Sequence, residues 1–244
     1  MTLLALLVAA AFAADGPTLL QAVDAGLNGA GDTTARMTAH TEVPGQQAKD
    51  AAFQLWTRGP QRLVQFEAPG DMKGTRVLVE SATQMYVWLP AYNKVRRVAS
   101  HVNNQGFMGT MFSDADMSTT RFSELYQAAV KSEAGSAVTL TLTPKAGLTT
   151  AYARIEMDVD LGMKLPTTLR YYDASGQHLK TETRSEYVCK PAKSGKDFCQ
   201  PGQLKMVDHT RKDAFTVLKQ EVLAVDSGLD VDLFSQRVLQ RGVE

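Results

Sequence analysis

The chain has 244 residues, 44% hydrophobic and 21% charged. That composition excludes a disordered or fibrous protein and allows one sizeable core. Its 26 basic side chains balance 26 acidic ones, so the basic excess expected of a nucleic-acid binder is missing.

The sequence opens with MTLLALLVAAAFAADG. The apolar run from Leu3 to Ala14 is shorter than the ~20 residues a membrane-spanning helix needs. It fits the apolar segment of a secretory signal, and Ala11-Phe12-Ala13 supplies a small-x-small cleavage pattern, although no Lys or Arg precedes the run. Residues 1–13 are therefore expected to be a signal peptide, and residues 14–244 one exported domain. No cysteine stands at the cleavage pattern, so no lipid anchor is expected on this chain.

Next comes GPTLLQAVDAGLNGA, where Pro17 suits a first helical turn and Leu19, Leu20, Val23 and Leu27 recur at helical spacing. Gly26 and Gly29 mark its end. The period then changes to two. Strands are expected over 50–58, 61–68, 75–81, 84–89, 94–99, 138–143, 154–159, 167–173, 178–188, 204–212 and 215–225. Turn signals such as Arg58-Gly59-Pro60 and Asp173-Ala174-Ser175-Gly176 separate them. Many short neighbouring strands point to a mainly β (α+β) fold with a large antiparallel sheet. HLKTETRSEYV is polar on both faces and reads as an exposed ribbon or edge. Two stretches break the pattern. Residues 101–126 are glycine-spaced and then helical from Asp116, and the tail carries a short helix starting near Asp230 or Asp232.

Cys189 and Cys199 flank a turn-rich stretch with a spacing unsuited to CxxC redox or zinc motifs. In an exported protein they are expected to form a disulfide across a hairpin. Closing so short a loop is worth roughly 2–3 kcal/mol in the chain-entropy view.

Strand 84–89 carries Met85, Val87 and Leu89 on one face and Tyr86 and Trp88 on the other. A half-wet sheet does not need two apolar faces, so both must meet a helix, a second layer or a ligand. The returning strand holds Arg96 and Arg97 side by side, and alternation sends one toward each face. Either both lie at the strand end in solvent, or one is buried against a carboxylate. Asp114 and Asp116 would then be candidate partners, latching the irregular segment across the sheet. Met72, Met85, Met108, Met111 and Met117 fall within 46 residues, beside Phe107 and Phe112. Such a cluster suits an ordinary core or a cavity that must accommodate varied apolar partners.

Chemistry-bearing motifs are not found. There is no GxSxG, HExxH, phosphate loop or dinucleotide fingerprint. His40, His101, His178 and His209 are scattered in polar surroundings, and Asp114 with Asp116 lacks a third ligand. No catalytic residue, metal or cofactor is expected.

RLVQFEAPGDMKGTRVLV, MYVWLPAYNKVRRV, GFMGTMFSDADM and DLFSQRVLQRG, in that order, resemble the outer-membrane lipoprotein-sorting proteins of the LolA-like superfamily. The branch is the one associated with envelope lipid transporters. The central match covers 61–117 and the layout nearly all of the mature chain. The resemblance implies an incomplete, curved antiparallel β-barrel with helices covering its open side, and a cavity for the acyl chains of a lipid or lipoprotein. It implies a monomeric periplasmic carrier that receives cargo from an inner-membrane transporter, touches membranes transiently and is not an enzyme. Cavity candidates are Met85, Val87, Trp88, Leu89, Phe107, Met108, Met111 and Phe112; lid-latch candidates are Arg96, Arg97, Asp114 and Asp116. In LolA an arginine on the sheet holds the lid, but the Arg96–Arg97 pair belongs to this branch and does not map onto it residue by residue. The alternative is a regulatory module that uses a similar half-barrel to bind a partner protein. A carrier needs depth: at ~0.8 kcal/mol per CH2, a sixteen-carbon chain loses on the order of 12 kcal/mol when exposed to water.

Overall fold

The computed structural model describes residues 15–81, 84–98, 106–119 and 121–243. The expected signal peptide and His101 lie outside the described residues. Helix α1 (Gly16–Leu27) starts where Asp15 accepts a hydrogen bond from the Thr18 backbone and Pro17 enters the first turn. It buries Leu19, Leu20 and Val23, as the helical spacing requires.

Two meanders follow. The first is β1 (Asp32–Glu42), β2 (Lys49–Arg58), β3 (Gln61–Ala68), β4 (Arg76–Ser81), β5 (Gln84–Leu89) and β6 (Lys94–Val98). The second is β7 (Tyr126–Ala134), β8 (Ala137–Pro144), β9 (Arg154–Asp160), β10 (Leu165–Tyr172), β11 (His178–Pro191), β12 (Asp197–Asp208) and β13 (Ala214–Val225). β13 pairs antiparallel with β1 and fuses them into one 13-stranded sheet, in the order β6-β5-β4-β3-β2-β1-β13-β12-β11-β10-β9-β8-β7. Every pairing is antiparallel. The ends β6 and β7 stay apart, so the expected open half-barrel is what forms.

Two strands had escaped the alternation argument. β1 carries Ala35, Met37 and Ala39 on its buried face, and with alanine on either side of the one methionine the apolar signal is weak. β7 is an edge, exposed along most of its length, and its apolar positions are mostly alanine. The polar stretch read as a ribbon or edge is instead β11, hydrogen-bonded to β10 and β12. Cys189 and Cys199 face each other across the β11–β12 ladder and are joined.

Because β6 and β7 are opposite edges, the chain between them has to cross a face of the sheet. Helices α2 (Asp114–Ser118) and α3 (Phe122–Leu125) lie on that crossing, with a short 3-10 turn at Phe107–Gly109. Phe107, Met111, Phe112 and Phe122 are buried there against Val64, Phe66, Val79, Met85 and Val87 of the sheet. The tail, a 3-10 turn at Val231–Phe234 and then α4 (Gln236–Arg241), covers the opposite face. Phe234, Val238 and Leu239 pack there on Trp56, Leu63 and Leu78, with Tyr86 and Trp88 beside them. The two apolar faces of β5 therefore meet two different covers.

Candidate functional site: the plugged concave face

The crossing segment acts as a plug, and its shape begins with GFMGT. Met108 and Gly109 both have positive φ, 48° and 83°. A Cβ on Gly106 would lie 2.2 Å from the Thr110 carbonyl oxygen, so the close approach requires glycine. The Thr110 hydroxyl donates back to the Phe107 carbonyl at 2.7 Å. Ser113 then caps α2: its hydroxyl accepts from the Asp116 amide at 3.2 Å, while its own amide donates to the Asp116 carboxylate at 2.7 Å.

Four side chains on other elements hold the plug. Thr216 of β13 accepts from the Met111 amide at 2.9 Å. Lys180 of β11 donates to the Met111 carbonyl at 3.0 Å and lies 3.6 Å from the Asp116 carboxylate. Tyr152 donates to Asp116 at 2.7 Å. Asp24 of α1 is 3% exposed and accepts from the amides of Phe122 and Ser123, both at 2.8 Å, at the start of α3. Of the expected latch residues only Asp116 is in these contacts, and the cation beside it is Lys180 rather than Arg96 or Arg97. Arg96 pairs with the inward Val87 and Arg97 with the outward Tyr86, as alternation requires. However, β6 is an edge strand and both arginines are exposed, Arg96 lying over the Tyr92 ring at 5.7 Å. Asp114 is half-buried, and burial together with the neighbouring Asp116 raises its carboxyl above the usual range.

The inward positions of β11 read Lys180, Glu182 and Arg184. Glu182 is 3% exposed and accepts from the Tyr171 hydroxyl and from Nε of Arg184, both at 2.6 Å. Burial, and after it the neighbouring carboxylates, push the phenols of Tyr152 and Tyr171 well above their ordinary value. Both therefore stay protonated and act as donors. Arg62 of β3 lies on the inward side with Val64 and Phe66, and its Nη1 is buried without a hydrogen-bond partner.

Two cavities flank the α2–α3 part of the plug. One, about 160 Å³, is lined by Met37, Leu55, Phe112 and Leu218, with Arg62 and Arg184 in its wall. The other, about 290 Å³, is lined by Leu125, Tyr126, Leu148, Tyr152 and Ile155. Asp116, Thr119, Phe122, Glu182 and Arg184 border both. Arg62 and Arg184 are five strand spacings apart, about 24 Å along a flat sheet, yet line one cavity. The sheet therefore curls around the site.

Of the cavity candidates, Met85, Val87, Phe107, Met111 and Phe112 are buried on the concave face, with Leu89 and Met108 packed against them. Trp88 is not among them, because it points to the opposite face, under α4 and Arg76. Phe112 reaches the wall of the first cavity, whereas Met85 and Val87 pack under the plug. The polar row on β11, Arg62 and Asp24 were not anticipated. For Arg62 the signal was present, since it precedes Val64 and Phe66 at a spacing of two. His178 and His209, read as scattered, lie with ring centroids 4.4 Å apart. Among the described residues no cluster of His, Cys, Asp or Glu could hold a metal ion, and no helix is long and apolar enough to cross a membrane.

An open sheet curled around a pinned plug is a LolA-like half-barrel, and known structures share it. A domain named for outer-membrane lipoprotein sorting from Vibrio parahaemolyticus is 23% identical, with a TM-score of 0.80 over 93% of this chain and 98% of its own. A DUF1329 family protein from Desulfovibrio piger is 22% identical, with a TM-score of 0.81 over 92% and 97%. A LolA superfamily protein from Nitrosomonas europaea is 17% identical, with a TM-score of 0.73 over 91% and 98%. No curated protein matches the chain. A family model described as "Uncharacterized protein" matches residues 59–241. The chain belongs to that family, and its fold is that of the LolA superfamily.

Proposed function

We propose that this protein is an extracytoplasmic carrier without catalysis, which takes the acyl chains of a lipid or lipoprotein into the concave face and shuttles them between envelope membranes. The observation that carries the reading is the pair of cavities divided by the plug, where Asp116 and Phe122 border both. The larger is close to the lower end of the ~300–1,000 Å³ range of ligand pockets. Movement of α2 and α3 would join them into one apolar groove. The plug is held by side-chain hydrogen bonds from Thr216, Lys180, Tyr152 and Asp24, contacts that can open and re-form without unravelling the sheet. The exported chain, residues 14–244, works as one domain and as a monomer, loaded by an inner-membrane transporter and docking transiently at membranes.

The test uses mature protein prepared without detergent, extracted with organic solvent and searched for lipid by mass spectrometry. Uptake of the neutral fluorophore N-phenyl-1-naphthylamine is measured alongside. Co-purified lipid with saturable uptake is expected. Absence of both would remove the carrier reading and leave a protein-binding half-barrel.

A further inference from the structure

We infer that the cargo bears an anionic headgroup, a carboxylate or a phosphate, seated between Arg62 and Arg184 with its chain running into the apolar part of the cavity. This rests on the carrier reading and adds the chemical class of the ligand.

Charge is the first argument. Around this part of the concave face stand three cations, Arg62, Lys180 and Arg184, and three carboxylates, Asp24, Asp116 and Glu182. Each carboxylate already accepts at least two hydrogen bonds, Asp24 from the amides of Phe122 and Ser123. Glu182 accepts from Tyr171 and Arg184, and Asp116 from Tyr152 and the Ser113 amide with Lys180 beside it. Lys180 and Arg184 each lie beside a carboxylate, Asp116 and Glu182, whereas Arg62 makes no ion pair among the described residues.

The second argument is satisfaction. A buried donor without an acceptor is costly, and more so when it is charged. Nη1 of Arg62 is such a donor. Burial, and then the like charge of Arg184, hold the Arg62 guanidinium down to about 10, still protonated at neutral pH. An anion between the two would relieve both strains. Nε of Arg76 is also buried without a partner, but that guanidinium donates from Nη2 to the Gln240 carbonyl at 2.8 Å and lies over Trp88. Arg62 faces a cavity instead. Arg184 bonds Glu182 through Nε, which leaves its two terminal amino groups for a second acceptor.

Placement is the third argument. Arg62 follows the Gly59–Pro60 turn, and Gly59 lies on the cavity rim. Met37, Leu55, Phe112 and Leu218 form the dry wall. A head at the rim and a tail inside is the arrangement an anionic amphiphile needs.

The experiment displaces N-phenyl-1-naphthylamine from the mature protein with dodecanoate, dodecyl phosphate and methyl dodecanoate. At least one anion should displace the probe at a concentration on the order of 10-fold below that of the ester. A preference for dodecanoate alone assigns a fatty-acid head, for dodecyl phosphate alone a phospholipid-type head, and for both a site that reads charge only. Arg62→Met should bring displacement by the anions to the level of the ester, and Arg62→Lys should retain much of the preference. Equal displacement by all three ligands, with the probe bound, overturns the headgroup and leaves the carrier standing; no probe binding at all removes both. Preference surviving in a folded Arg62→Met variant also overturns the site. Should that variant fail to fold, the comparison of acids with ester on the wild-type protein still decides.

Discussion

Both faces of the sheet carry a cover, and the covers are built differently. On the convex face the tail packs as core: Leu63, Leu78 and Leu239 are 0% exposed. Polar clamps sit at its margins, where Arg58 donates to the Leu229 carbonyl and Arg76 to that of Gln240, both at 2.8 Å. On the concave face the plug buries aromatic residues but leaves cavities beside it, and buried charged and hydroxyl groups hold it. A dry cover has many weak contacts and no single release point. A cover held by a few directional polar bonds can be released when those bonds are exchanged. On the proposed carrier function, the contrast separates a structural face from a working one.

The largest way to break the contrast is at Lys180. Its side chain is 7% exposed and that of Asp116 3%, so Lys180→Met strands a buried carboxylate. A loss of roughly 3–5 kcal/mol is expected in urea unfolding, because removing one partner leaves the other charge unpaired. Lys180→Met/Asp116→Asn should recover part of that stability yet release the fluorophore faster than wild type in stopped flow. Arg96→Ala and Arg97→Ala, on the exposed edge, should leave release unchanged. Fast release in the arginine variants and wild-type release in the double variant would return the latch to β6.

A second break falls on the convex face. Leu239→Ala should cost about 2–5 kcal/mol, as truncations at fully buried leucines do, while the probe affinity of the folded protein stays at the wild-type value. An affinity loss matching the stability loss would mean that the two faces are coupled, and the division into structural and working sides would fall.

Much of this architecture was legible in the sequence because alternation reports which residues share a face. β3 and β5 came through for that reason, and residues 101–126 stood out because they break the pattern. What alternation cannot report is which polar face is wet. Lys180, Glu182 and Arg184 alternate with Thr181, Thr183 and Ser185, so β11 looked polar throughout. Only tertiary packing shows that the charged row points inward, where Arg184 pairs with Glu182 and Lys180 with the plug. Of the two placements left open for Arg96 and Arg97, the solvated one is found, for a related reason. The alternation was right, but an edge strand lets an inward arginine reach solvent. Trp88 was assigned by its apolar character, which says nothing about whether the plug or the tail covers it.

The smallest break is at Asp32, where β1 begins. Its carboxylate accepts from the amides of Ser227, Gly228 and Leu229 and from the Ser227 hydroxyl, at 2.8 to 3.1 Å, and so fixes the turn that launches the tail across the convex face. Burial opposes the charge, but the bonds from Ser227, Gly228 and Leu229 outweigh it and hold Asp32 below the ordinary value. A carboxyl lowered on folding adds stability above its unfolded value, and that stability is lost as pH falls through the folded one. Asp32→Asn should therefore be less stable than wild type near neutral pH, by about 1–3 kcal/mol. The gap should hold down to about pH 4 and narrow below it. Probe binding should not change, because the loss falls on the convex cover. A gap that widened in acid would mean that Asp32 is protonated in the folded state, and the turn would need another anchor.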